Sequence, residues 1–441
     1  MQNTINAAAA LTGPIMDLRE QMDADSDERL TLLRARTRAI KDAKVDAVAN
    51  TRALTAVPMA ATDGSPAQVV LNAPGGIIMQ IGDVAHEQFS QRLRIDRRYY
   101  DRMNAEAPEL LAQNLNWWLQ KTPEDRLLRM LRPAAFDEAA QREMQALGAV
   151  LRLRGVLGKG YRTIDDADLV DAVVPEAIAK GLKLVDFSID ERRMHAKFAN
   201  APRTVAEIRE AYAQKYNLTA LQVAQHTRVD GKDISWVHEV LSSGITIRHS
   251  EIGFASIGCA FFQRILKCLN DLVDENSIAI RHVGGKHGAG DEDVRYLSDS
   301  TQLMENAAML GRITDAIGKE MDDKQIFEKA HKILAAKVEE VERPAEMPLF
   351  EFVGNIGANL GFTQGQTELL KEETVKSVAE EGGEVKFAFV QGITAVARQM
   401  TDYDARLDAE RVGFAILNDD ASKLFKLGRE TLKKGAVKIG Q

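Results

Sequence analysis

Apolar positions recur every three or four residues along Val84 to Leu93, Arg97 to Met103 and Pro108 to Leu119, a spacing that predicts three consecutive helices. Just before them, AQVVLNAPGGIIMQIGD places two β-rich runs around a Pro-Gly-Gly turn and predicts a hairpin. Upstream, DSDERLTLLRARTRAIKDAKVDAVAN has the pattern of one exposed helix with Leu30, Leu33 and Ile40 on a single face. The segment ATDGSP at residues 61–66 is turn chemistry and a natural linker. Pro123, after Thr122, suits the first position of a further segment.

From Leu128 to Gly155 strand and helix signals alternate, after which GKGYR supplies a basic turn and DDADLVDAVVPEAIAKG a capped helix closed by Gly181. Leu182 to Ala199 predicts a strand pair, Arg203 to Gln225 a helix or helix pair, and strands resume near Ile234. Beyond residue 300, Leu303, Met309, Ile313, Ile317, Ile326 and Ile333 have helical spacing; Pro344 and Pro348 interrupt it. FTQGQTELLKEETVKSVAEEGG is helical to its double glycine, Val385 to Leu417 supplies two more helices, and the Lys-rich tail from Lys423 frays. The expected architecture is α+β. It has a helical arm at 1–60, a mixed or antiparallel sheet core at 61–290 and an acidic helical region at 291–441.

Charge adds to this picture. The net charge of −8 belongs almost wholly to residues 291–441, leaving 1–290 near neutral but with basic clusters inside. No start resembling a secretion signal and no apolar run of about 18 residues is present, so a cytoplasmic protein with no membrane association is expected. Cys259 and Cys268 lie in apolar surroundings that suit reduced, buried thiols.

Several pieces together resemble a known family. NLNWWLQ followed by RLLRMLRP, GKGYRTIDDADLVDAVVP, GITIRHSEIGFASI, and KCLND with RHVGG occur in the order found in the phage/plasmid-like family of unknown function DUF932, which includes YfjQ and YafZ. VKFAFVQGITAVARQMTDYD resembles its C-terminal helical segment. The resemblance spans roughly residues 80–415 and implies a phage or mobile-element origin, a bacterial host cytoplasm, and a role in DNA metabolism or conflict with the host.

Two basic groups suit nucleic acid. In RLRIDRRYYDRMN, Arg92, Arg94, Arg97, Arg98 and Arg102 surround Tyr99 and Tyr100, combining cations for phosphates with rings for bases. Arg152, Arg154, Lys159, Tyr161 and Arg162 lead into a glycine-flanked turn, and Arg281 and Lys286 offer further phosphate contacts. The alternative is that these arginines pair with acids of the C-terminal half. Trp117 and Trp118 are either both core, or one core and one stacking surface. Asp165 and Asp166 cap the helix that follows.

His249, Glu251 and His282 are a metal-ligand combination on paper, and otherwise a structural cluster in which Glu251 pairs with His282. The expectation is no cofactor and no catalytic residue, with a divalent metal as the alternative. The favoured function is single-stranded DNA binding or annealing in recombination by an oligomer whose acidic half mediates assembly or masks the basic surface. The rivals are a metal-dependent nucleic-acid hydrolase and an antagonist that binds a host defence or replication protein.

Overall fold

The computed structural model describes residues 25–219, 222, 228–229, 232–233, 239–265, 270–273, 278–280, 299–400 and 403–429. Arg281, His282, Lys286, Cys268 and the tail beyond 429 lie outside the described residues.

Six strands build the first sheet: β1 (Lys44–Asn50), β2 (Thr55–Met59), β3 (Gln68–Ala73), β4 (Ile77–Ile81), β5 (Asp125–Leu131) and β6 (Leu151–Gly158). Their order is β1-β5-β6-β4-β3-β2, with β4 and β6 parallel and the other pairs antiparallel. The β3–β4 hairpin turns through Gly75 and Gly76, both at positive φ, as the Pro-Gly-Gly sequence requires. Three helices cover one face: α2 (Asp83–Leu93), α3 (Arg97–Glu106) and α4 (Pro108–Lys121). They bury Phe89, Tyr100, Leu111 and Leu115 against Leu71, Met79 and Leu128 of the sheet. On the opposite face α5 (Glu138–Ala146) packs Met144 against Val70 near the β2–β3 edge.

The second sheet is β14-β13-β12-β8-β7, made of β7 (Leu182–Ile189), β8 (Met194–Asn200), β12 (Val240–His249), β13 (Ile257–Ile265) and β14 (Asn270–Val273). Short β9 (Arg203–Thr204) and β15 (Ile278–Ile280) pair with β12 and β13, and β10 (Arg228–Val229) with β11 (Lys232–Asp233) forms a separate ladder. The central strands β12 and β13 are buried on nearly every residue, which is why they read as continuous apolar runs.

One face of this sheet joins Ile245, Ile247 and Phe261 to helices α6 (Asp166–Ala179), α7 (Val205–Lys215) and the C-terminal set. That set is α8 (Asp299–Glu320), α9 (Asp323–Ala336), α10 (Leu349–Asn359), α11 (Gln364–Glu381), α12 (Lys386–Arg398), α13 (Tyr403–Asn418) and α14 (Ser422–Arg429). Across the other face, Phe262 and Ala260 meet Leu407 of α13. Beside them the Lys197–Asp271 pair is enclosed, with Arg264 donating to Asp271 at 2.8 Å.

The α+β class stands, but its division along the chain differs from the one the sequence suggests. The helix at residues 25–43, here α1, is no loose arm. Leu33 is fully buried in the large core, Ser26 accepts the Leu184 amide at 3.0 Å, and Lys41 pairs with Asp168 on α6 at 2.5 Å. Immediately afterwards the chain enters the first sheet as β1 and β2, so residue 60 is not a boundary. Residue 290 is not one either, because the C-terminal helices share one core with the second sheet. The lobes are residues 44–158, and α1 with 164–429. Pro123 leads into strand β5 rather than a helix, and α10 follows Pro348 where the prolines suggested only an interruption.

Leu33→Ala should lower stability by about 2–5 kcal/mol in a urea titration, the range for emptying a closed core site. A change under about 0.5 kcal/mol, typical of a surface position, would mean that α1 is not docked.

Candidate functional site

Where the lobes meet, charges are buried in number. The face of the first sheet turned away from α2–α4 presents Arg129 on β5 and Arg154 on β6, respectively 1% and 6% exposed. Opposite them the chain leaves β12 at His249 and turns through Ser250 to Gly253, whose φ of 88° suits glycine. Arg154 Nη1 donates to Glu251 Oε2 at 2.7 Å, and the Asp166 amide donates to Glu251 Oε1 at 2.9 Å. Arg129 donates to the Glu251 carbonyl at 2.7 Å, to Asp165 Oδ1 at 2.7 Å and to Asp46 Oδ1 at 3.2 Å. Lys44 Nζ completes the group on Asp165 Oδ2 at 2.6 Å.

The electrostatics follow from these contacts. Burial alone would raise the carboxyls; Arg154 and Arg129 outweigh it at Glu251, and Lys44 with Arg129 outweighs it at Asp165, so both are held below the usual carboxylate range. Asp166 goes the other way, raised by burial and by neighbouring Glu251, while its Oδ1 lies 2.5 Å from His249 Nδ1. Asp165 occupies the N-cap of α6 but does not cap it with its side chain; the backbone amide of Asp166 is satisfied by Glu251 instead. His249 and Glu251 are thus enclosed and engaged in separate contacts, not turned towards a shared open point. Among the described residues no group of three or more His, Cys, Asp and Glu side chains is placed to hold a metal. Cys259 is fully buried, and burial pushes its thiol well above the usual range.

The predicted nucleic-acid contacts divide sharply. Tyr100 is fully buried and Arg154 belongs to the junction, so neither presents a surface. Tyr100 shares a 3.1 Å hydrogen bond with His86 Nδ1, and desolvation holds that imidazole down at about 4. Tyr161 is half-buried and donates to the Ser250 carbonyl at 3.1 Å. Arg92 pairs with Glu124 at 2.5 Å, and Arg97 with Asp83 and Asp101, each at 2.7 Å. Arg152 lies 3.8 Å from Glu191, Lys159 lies 2.9 Å from Asp125, and Arg162 pairs with Glu305 of α8. Of these pairs, the last matches the alternative in which the basic set meets acids of the C-terminal helices.

Exposed residues remain at the end of α2 and on α3 and α4, the last two packing together over the first sheet. Arg94, Arg98, Tyr99 and Arg102 face solvent, as do Leu110, Trp117 and Trp118. Trp117 is 62% exposed, and neither tryptophan is core. Leu111, Leu115 and Leu119 take the buried stripe of α4, leaving the indoles outside it. Lys121 lies 5.4 Å and 5.8 Å from their ring centres, and the Arg102 guanidinium 5.5 Å from that of Tyr99. The chain therefore carries exposed rings with cations already against them.

No known family, curated protein or solved structure matches this chain.

Lys121 escaped notice in the sequence, although its place three and four residues after the tryptophans on one helix is the signal that finds it. A second group had no such signal: Arg193, Arg248 and Arg411 converge from distant segments, and burial together with Arg411 and Arg193 holds Arg248 below the usual arginine range. No helix of the described residues is long and apolar enough to cross a membrane.

Arg154→Met should cost about 3–5 kcal/mol by stranding a buried carboxylate, with Arg154→Met/Glu251→Leu recovering most of it in a double-mutant cycle. A separate expectation concerns His86. Its depressed folded value means that the unfolded chain takes up the proton first, so stability is complete above about pH 6.5 and declines as pH falls towards 4. The decline attributable to this group is about 3 kcal/mol. Urea titrations across that range should show a shallower decline in His86→Gln; an equal slope in both proteins would remove His86 as the cause.

Proposed function

We propose that this protein binds nucleic acid, with single-stranded DNA as the preferred form, and that α3 and α4 supply the binding surface. The observation that carries the proposal is the set of exposed rings, Tyr99, Trp117 and Trp118, with Arg102 and Lys121 against them. Large exposed aromatic side chains cost solubility and add nothing to the core, whereas flat rings flanked by cations accept unpaired bases and their phosphates. Unstacked bases are available in single strands and hidden in a duplex, which favours the single strand.

This function agrees with the phage and mobile-element role that the sequence resemblance implies, and annealing during recombination is the process we assign to it. Assembly into an oligomer and a host cytoplasmic setting belong to the same proposal. Electrostatics sets a condition on it. A chain of net charge −8 must bind through a local surface rather than through overall attraction, so affinity should fall with salt in proportion to the few phosphates contacted.

Fluorescence anisotropy with a labelled oligothymidylate should show salt-dependent binding that is stronger than binding to a duplex of equal length. Trp117→Ala and Tyr99→Ala should each weaken it by about 1–3 kcal/mol while leaving the urea midpoint unchanged, because each removes an exposed stacking ring. Equal affinity for single strand and duplex, or wild-type affinity in Trp117→Ala/Tyr99→Ala, would defeat the proposal.

A further inference from the structure

The corner between α2 and α3 holds an arginine in a conformation that suits glycine. Arg94 has φ 55° and ψ 36°, the left-handed region. It closes α2 in the usual left-handed way, its amide donating to the Gln91 carbonyl at 3.1 Å and the Ile95 amide to the Ser90 carbonyl at 3.0 Å. Glycine takes this position at no steric cost, while a β-carbon crowds the backbone. Among the described residues the other non-glycine at positive φ is Asn217, a type that tolerates the region through its short polar side chain. Arginine has no such local compensation.

No side-chain contact among the described residues repays the strain. Within the described residues the Arg94 guanidinium makes no hydrogen bond, ion pair or ring contact, and the same is true of Arg98, the second residue of α3. Their neighbours differ: Arg92 is tied to Glu124, Arg97 to Asp83 and Asp101, and Arg102 lies on the Tyr99 ring. The free amides of α3 do not form an anion site, because the Asp96 carboxylate already accepts from Arg98 and Tyr99 at 3.0 and 3.2 Å. What this corner offers a ligand is therefore two guanidinium groups without an ion pair among the described residues, one closing α2 and the other next in sequence to the exposed Tyr99 ring.

We infer that Arg94 and Arg98 form a phosphodiester clamp for the strand whose base stacks on Tyr99, and that Arg94 is a residue whose binding role opposes stability. This rests on the nucleic-acid function proposed above and specifies which cations meet the backbone. Guanidinium forks match phosphate oxygens in pairs and remain charged at all relevant pH values.

The test measures affinity for labelled oligothymidylate at several salt concentrations, together with thermal unfolding. Arg94→Gly should reduce the slope of log affinity against log salt by about 0.7, and Arg94→Gly/Arg98→Ala by about 1.4, one phosphate contact each. Arg94→Gly should also raise the melting temperature by about 2–4 °C, since glycine relaxes the corner. Arg94→Lys should keep most of the slope without the rise in melting temperature, and Lys426→Ala on α14 should leave the slope unchanged. If the wild type binds and the double variant keeps its slope, the clamp is wrong while the nucleic-acid function stands. If the wild type binds no oligothymidylate at any salt concentration, that function fails and takes the clamp with it. A melting temperature that falls in Arg94→Gly overturns the claim that the corner is strained.

Discussion

Glu251 is the carboxylate on which the arrangement of the two lobes depends. One of its oxygens is held by Arg154 from the first sheet and the other by the first amide of α6, while its own carbonyl is held by Arg129. A buried ion pair gains little over an apolar contact of the same shape, because desolvation offsets most of the attraction. Its value is directional. Apolar surfaces slide over one another at small cost, whereas a carboxylate between two fixed donors, with its own carbonyl held by a third, fits in one register. Gln88 adds a neutral version of the same device, accepting from the Val156 amide at 2.6 Å and donating to the Ile252 carbonyl at 3.0 Å.

This junction separates two kinds of arginine that look alike in a sequence. Arg129 and Arg154 serve orientation and are sealed from solvent; Arg94 and Arg98 lie on the opposite side of the first sheet, and their guanidinium groups bond to none of the described residues. Tyrosines divide in the same manner. Tyr100 faces the sheet and bonds to His86, whereas its neighbour Tyr99 turns outward because successive helical residues are about 100° apart. The first lobe thus offers one face of its sheet to the second lobe and leaves the outer sides of α3 and α4 to solvent.

Much of the fold was legible from local signals. The β3–β4 hairpin, α2 to α4, the β7–β8 pair and the stop of α6 at Gly181 all follow from periodicity and turn chemistry within about twenty residues. β1 was not legible, because KVDAVAN sits at a sheet edge where half-exposed, charged residues blur the alternation. Nor was the fate of Arg154, whose partner lies 97 residues further on. A basic cluster in sequence states how many cations there are, and only the fold decides which of them are neutralised. The stretch around His249 and Glu251 showed where polar groups concentrate; that they meet arginines from another sheet required the three-dimensional arrangement.

Helix α1 and strand β1 are consecutive in the chain yet belong to different lobes, and this has a consequence for synthesis. Residues 44–158 contain every strand of the first sheet, so that lobe has its complete set of pairings while the ribosome is still making the second. The docking place of α1 against α6 and β7 arises later, and the core that closes around Leu33 also draws on helices more than 270 residues further along the chain. A helix made before the first lobe is therefore secured only after that lobe is complete, and until then its apolar face is an exposure that the cell must tolerate or shield.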